Sequence, residues 1–265
     1  MKRRMRSRGL AAFAGTMVVA GPVLAACVGE PTYEDWAATD GAAGRINLED
    51  VQDAFKRSES VTEFEERVNR IYEGDGVVLI RADQTESGMT LDGFEDLDGN
   101  GEISDSADDI LFSIVKNNEG HNMQGHGANG YYNRGFGGGD FLFTYLLLSS
   151  FSGPRYSYHT APARATTVKS QRNGYRSSSS YRNQVSRNGS YFNKQKGFAG
   201  SSYSNAGRNL SSSRQTYQST QKSSGSFKSS STNVRSASRF GGSSRGGGLR
   251  GGGGAQKGVG YRRGK

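Results

Sequence analysis

The chain has 265 residues, 34 Lys and Arg against 25 Asp and Glu, and a formal net charge of +9. One cysteine excludes an intramolecular disulfide framework, and 33% hydrophobic content leaves material for one modest core. The charge is divided: residues 28–151 hold all 25 acids and 8 cations, whereas residues 152–265 hold 21 cations and no acid, the pattern of a folded acidic unit joined to a basic tail.

At the N-terminus, Lys2, Arg3, Arg4, Arg6 and Arg8 precede an apolar run from Leu10 to Val23 that Gly15, Gly21 and Pro22 interrupt. A basic head, a short apolar body and a small-residue exit are the parts of a secretory signal, here residues 1–26. The body is too broken to make a good spanning helix. Leu24-Ala25-Ala26-Cys27 resembles the lipobox of bacterial lipoproteins. That resemblance implies cleavage between Ala26 and Cys27 and acylation of Cys27, so that the chain is held by lipid on a cell membrane or outer membrane, facing periplasm or exterior. In a Gram-negative cell, Val28 after the cysteine implies outer-membrane sorting. One acyl chain binds membranes at only about 10⁴ M⁻¹, so a permanent anchor takes two or three. Residues 27–44 then read as a tether, with Trp36 either docked on the domain or resting at the lipid interface.

Order is expected from Asn47, an N-cap for a helix carrying Leu48, Val51 and Phe55 on one face. Thr62-Glu63-Phe64-Glu65 reads as a capping box opening a second helix, with Phe64, Val68 and Ile71 at helical spacing. Val77–Asp83 and Met89–Glu95 read as strands, and Ile110–Val115 as a third or as a short helix. The predicted fold class is a small α+β domain over residues 45–133, two helices against a short antiparallel sheet, followed by a long disordered basic tail. Residues 134–151 form a Gly-rich and apolar segment. Its Phe141–Phe151 stretch, with Asp140 as N-cap, would reach only about 16 Å as a helix against a ~30 Å hydrocarbon core. It therefore wants burial in the domain, a partner or the membrane surface.

The segment Asp96-Leu97-Asp98-Gly99-Asn100-Gly101-Glu102-Ile103-Ser104-Asp105 carries oxygen side chains on alternate residues, with glycines for the turn. It resembles the calcium loop of EF-hands and dockerin modules. The resemblance implies Asp96, Asp98 and Asn100 as side-chain ligands, Glu102 through its backbone carbonyl, and Ser104 directly or through water. Calcium takes six to eight oxygens, which such a loop can converge. The position that normally supplies a bidentate acid is Ala107, with Asp108 one residue later. Strand-like flanks bring the loop closer to the calcium loops in B-type repeats of bacterial surface adhesins, where Asp105 or Asp108 would finish the shell. Asp-Gly and Asn-Gly also make ordinary hairpin turns without metal.

His121, His126 and His159 lack the ligand number and framework of a zinc site. No serine sits in a nucleophile-elbow context, so an enzyme is not expected. In residues 152–265, Leu, Ile, Val and Phe number 10 in 114, too few to bury a core, which predicts disorder. Tyr beside Arg at Tyr175-Arg176, Tyr181-Arg182 and Tyr261-Arg262 would suit RNA inside a cell. An export signal turns the expectation away from intracellular nucleic acid, toward envelope polyanions or the chain's own acidic domain. The function expected is a binding or structural role in the cell envelope, with a calcium-dependent adhesion or docking module as the alternative.

Overall fold

A computed structural model describes residues 30–85, 88–117, 120–139, 141–144 and 157–232. The signal segment, Cys27 and Asp140 lie outside the described residues, as do 145–156 and 233–265. Helix α1 (Tyr33–Ala37) is closed by a capping box in which Thr32 Oγ1 accepts from Asp35 N at 3.1 Å. Helix α2 (Leu48–Arg57) starts at Asn47, whose side chain accepts from Asp50 N at 3.1 Å, and buries Leu48, Val51, Ala54 and Phe55. Helix α3 (Val61–Ile71) starts earlier than the Thr62 box suggests. Ser60 Oγ accepts from Glu63 N at 3.2 Å, while Glu63 Oε2 accepts from Glu59 N at 2.9 Å. The earlier start adds Val61 to the buried Phe64, Val68 and Ile71, and that extra apolar contact fixes the boundary.

Strands β1 (Val78–Thr85), β2 (Gly88–Glu95), β3 (Asp109–Asn117), β4 (Gly120–Gly125), β5 (Asn133–Phe136) and β6 (Ser157–His159) form one antiparallel sheet in the order β5-β4-β3-β2-β1-β6. Ile110–Val115 is therefore strand, not helix. Val78, Ile80 and Ala82 of β1, Leu91 of β2, Phe112 and Ile114 of β3 and Met123 of β4 point to one face, where α2 and α3 cover them. The register of β2 against β3 shifts between Gly93 and Phe94, so both Leu111 and Phe112 are buried. The sheet is wider than the apolar pattern shows, because β4, β5 and β6 are mostly polar. Residues 141–144 are helical and bury Leu142 and Phe143 in the main core, with Phe143 stacked 5.4 Å from the His121 ring.

Two expectations are corrected. The stretch read as a tether belongs to the folded unit from α1 onward: Trp36 is fully buried against Phe227, Tyr33 and Tyr217, and its Nε1 donates to Ser230 Oγ at 3.0 Å. The tail is ordered through Thr232 as α4 (Pro162–Arg176), α5 (Ser179–Arg208) and α6 (Ser212–Ser224). Pro162 opens α4, Ser178 and Ser211 cap α5 and α6, and Gly225 in the left-handed conformation ends α6. α5 is kinked at Gly200. The low-hydrophobicity rule counts what a segment buries by itself, and these helices bury polar groups against acids and carbonyls that the first half presents.

Among the described residues, no helix is long and apolar enough to cross a membrane.

Candidate functional site

The loop from Asp96 to Asp108 joins β2 to β3, so strands flank it on both sides. Asp96 and Asp108 are buried at its base and Asp98 is exposed at its rim. Ligand oxygens of these three lie within 4.8 Å of one another, the only such acid, His or Cys group of three or more among the described residues. The Asp96 carboxylate accepts from Gly99 N at 2.7 Å and Gly101 N at 3.0 Å. Asp108 accepts from Leu97 N at 3.0 Å and Ser104 N at 2.9 Å, tying the two ends of the loop together. Gly101 has φ +77°, and a Cβ there would lie 3.1 Å from Ala165 Cβ, so the loop packs tightly on α4.

Burial, aided by the Asp108 charge, pushes the Asp96 carboxyl up to about 6 against the pull of the Gly101 and Gly99 amides. Burial likewise raises Asp108, with Asp98 and Glu95 adding to it. Two buried carboxyls held together in this way favour a proton or a cation over an empty anionic pair.

The expected ligands divide. Asp96, Asp98 and Asp108 converge, and Asp108 takes the place that Ala107 leaves open. Asn100 uses its Oδ1 to accept from Glu102 N at 2.6 Å and its Nδ2 to donate to Asp98 Oδ2 at 2.9 Å, so its side chain braces the turn. Ser104 Oγ meets Ser106 Oγ at 3.1 Å, and the Glu102 side chain is exposed. Asp105 turns away to Arg81 at 3.0 Å.

Sequence reasoning missed the densest charged cluster. Arg214 of α6 is fully buried and pairs with Glu95 and with Asp109, 2.9 Å away, at the ends of β2 and β3. Tyr72 OH also donates to Glu95, whose Oε1 accepts from Gly76 N at 2.9 Å. Ser211 Oγ donates to Asp109 at 2.6 Å. Burial opposes the Arg214 charge, but Glu95 and Asp109 override it and hold the guanidinium well above its usual range. Gly44, at φ +75°, leaves the room this guanidinium needs: a Cβ there would lie 2.5 Å from it.

Further along, Arg172 donates to the carbonyls of Gly74 and Gly76, and Arg176 to Gly74 O at 2.7 Å. Arg164 reaches Glu65 at 3.2 Å and Glu66 at 2.8 Å. The one advance signal was the absence of any acid in the tail against the acidic excess of the domain.

A third cluster lies on the other sheet face. Ser113 Oγ donates to Asp92 Oδ1 at 2.6 Å and meets His126 Nε2 at 2.9 Å, while Arg81 donates to Asp92 at 3.3 Å. With the hydroxyl proton committed to Asp92, His126 Nε2 must donate to Ser113 instead of accepting from it. Burial lowers the His126 pKa, although Asp92 and Asp109 oppose the shift, so the neutral donor tautomer fits. The geometry suits a bracing network, not an activated nucleophile. His121 is buried between Phe136 and Phe143, and His159 Nε2 meets Ser157 Oγ at 3.0 Å.

No family model matches the chain, and no curated protein or solved structure matches it either.

Proposed function

We propose that the chain is a lipid-anchored protein of a bacterial cell envelope, held through Cys27, whose folded unit binds or scaffolds and does not catalyse. The observation that supports this reading is the burial of Trp36 nine residues after Cys27. At 3.3–3.6 Å per residue, the chain between them spans at most about 32 Å, so an acylated Cys27 keeps the domain on the membrane surface. Metabolic labelling with a fatty acid should mark the wild-type chain and not Cys27→Ser, and Cys27→Ser should lose the acyl-dependent cleavage. An unlabelled wild-type chain would sink the reading.

A second reading, a calcium-dependent adhesion or docking module, draws support from the convergence of Asp96, Asp98 and Asp108. Ca²⁺ would be held by these three carboxylates, with the Glu102 carbonyl and Ser104 as the further donors the loop offers. It would neutralise the buried pair and stiffen the β2–β3 connection. Addition of Ca²⁺ to the full chain should raise its melting temperature, and Asp98→Ala should abolish the rise without unfolding the protein, since Asp98 is exposed. An equal rise in wild type and variant would remove the loop as the site.

A further inference from the structure

We infer that a groove between α2, α3, α4 and α5 binds a sugar phosphate, free or at the end of a glycan, through its arginines. The groove measures about 520 Å³, within the roughly 300–1,000 Å³ of small-molecule sites. Its walls follow from helical spacing. Asp50, Asp53, Ala54 and Arg57 stand at i, i+3, i+4 and i+7 on α2, and Arg67, Arg70 and Ile71 at i, i+3 and i+4 on α3. Tyr175 near the end of α4, with Gln184 and Arg187 of α5, closes the other side.

Four arginines against two aspartates leave the lining with a surplus of two positive charges. Three of the four belong to α2 and α3, inside the half of the chain where acids outnumber bases. Two of them are also incompletely used. Arg57 lies 3.6 Å from Asp53 and Arg70 lies 3.7 Å from Glu66, and neither donates a hydrogen bond to any described group. Arg70 is left short because α4 draws Glu66 away: Arg164 reaches that carboxylate at 2.8 Å and Gln171 at 3.3 Å. The bond from Arg164 also holds the Glu66 carboxyl below its usual range. Arg67, by contrast, makes two hydrogen bonds to Glu63 Oε1, and Arg187 donates to Asp50 Oδ2 at 3.3 Å. A guanidinium presents its N–H donors as a fork that matches phosphate oxygens. Arg57 and Arg70 therefore offer two open forks to one groove, with side chains 70% and 51% exposed.

The rest of the lining selects what carries the phosphate. A phosphomonoester has a charge of about −1.5 to −2 at pH 7, which matches the surplus. Ala54 and Ile71 supply apolar surface, and the half-buried Tyr175 ring supplies a flat one. That ring is braced by its hydroxyl, which donates to Ser180 O at 3.3 Å, and by the Arg70 guanidinium 5.8 Å from the ring centre. Asp53 is more than half exposed and its loose contact with Arg57 leaves acceptor positions open for hydroxyls. A bare inorganic anion would meet the two aspartates as repulsion, and an apolar phosphate ester would leave them without a donor. A sugar phosphate suits every part of the lining: phosphate on the arginines, hydroxyls on the aspartates, and the C–H face of the sugar on Tyr175.

The test is titration calorimetry on the full-length chain with glucose 6-phosphate, inorganic phosphate and glucose as separate probes. Glucose 6-phosphate should bind about tenfold or more tighter than either of the others, and raised salt should weaken it. Arg57→Gln and Arg70→Gln should each lower that affinity about tenfold, since each removes a charge-assisted bond to the phosphate. Both side chains are exposed, so the variants should keep the wild-type melting temperature. Lys194→Gln removes a cation of α5 that does not line the groove and should leave the affinity unchanged. The inference is overturned if glucose 6-phosphate does not bind, if inorganic phosphate binds as tightly, or if Lys194→Gln loses as much affinity as the groove variants. An oligosaccharide ending in a phosphorylated sugar separates the two sources. Tighter binding than glucose 6-phosphate assigns the groove to a glycan end, and equal binding assigns it to the free sugar phosphate.

Discussion

The two halves of this fold are held by different chemistry. Helices α2 and α3 and strands β1–β3 come together through apolar faces: Phe55, Phe64, Leu91, Phe112 and Ile114 are all fully buried. Helices α4–α6 attach mainly through polar and charged side chains, burying Arg172, Gln184, Asn188, Gln195, Arg214 and Gln218. Asn188, for example, donates to Ile71 O at 2.8 Å and to Glu73 at 2.7 Å, and Gln218 donates to Ala42 O at 3.0 Å. The first half contains its own reason to fold. The second half folds because the first offers it carboxylates and unpaired carbonyls, and in return it covers charges that would otherwise face one another.

The contrast breaks most sharply at Arg214. Arg214→Ala leaves Glu95 and Asp109 buried without their cation and should destabilise the protein by about 3–5 kcal/mol in urea unfolding. Arg214→Lys should recover only part of this, since an ammonium cannot fork across both carboxylates. Hydrogen exchange should show the α6 amides losing protection before those of β2 and β3. Simultaneous collapse of both would contradict the division into a self-sufficient half and a dependent one.

A smaller effect is expected at Trp36, which joins the first helix to the last described segment. Trp36→Phe keeps most of the apolar contact and loses the bond to Ser230, at about 1 kcal/mol. It should expose the 226–232 segment to exchange without changing α2 or α3.

The third prediction concerns pH. Burial pushes the Glu73 carboxyl up to about 7, with Asp40 adding to the shift while Asn188 and Arg176 oppose it. Since the folded state then holds a proton that the unfolded chain releases from about 4.5 upward, stability from this group falls as pH rises from about 4.5 to about 7. Glu73→Gln keeps an acceptor for Asn188 and should flatten the melting temperature across that window. An unchanged pH profile would show that Glu73 ionises freely.

The smallest effect belongs to the exposed pairs. Lys194→Ala removes a 2.8 Å contact to Glu49 at the surface and should cost no more than about 1 kcal/mol, lost again at high salt. A larger cost would mean that surface charge, and not the buried Arg214 cluster, secures the basic helices.

Much of the first half was legible. Asn47 caps α2, the stripes of α2 and α3 face the core, and Met89–Glu95 is a strand, because apolar periodicity and capping chemistry are local properties. Strand β4 was not legible. Gly120-His121-Asn122-Met123-Gln124-Gly125 shows no hydrophobic run, and it is a strand because β3 offers it a partner edge and His121 finds an aromatic slot. In the candidate loop, the alternation of oxygen side chains picked out Asp96 and Asp98, two of the three acids that converge there. That Asp108 and not Asp105 joins Asp96 and Asp98 depends on Arg81, which draws Asp105 away across the sheet face.

By itself, then, the sequence determined the α+β class, the place of α2, α3 and the first strands, and the division of charge between the two halves. Those follow from residue type and spacing within a few turns of chain. Only the tertiary structure decided that residues 162–224 are helices wrapped on the domain and that Trp36 is buried. Burying the Arg214 charge takes partners that its own segment lacks, and Glu95 and Asp109 meet it from 119 and 105 residues away.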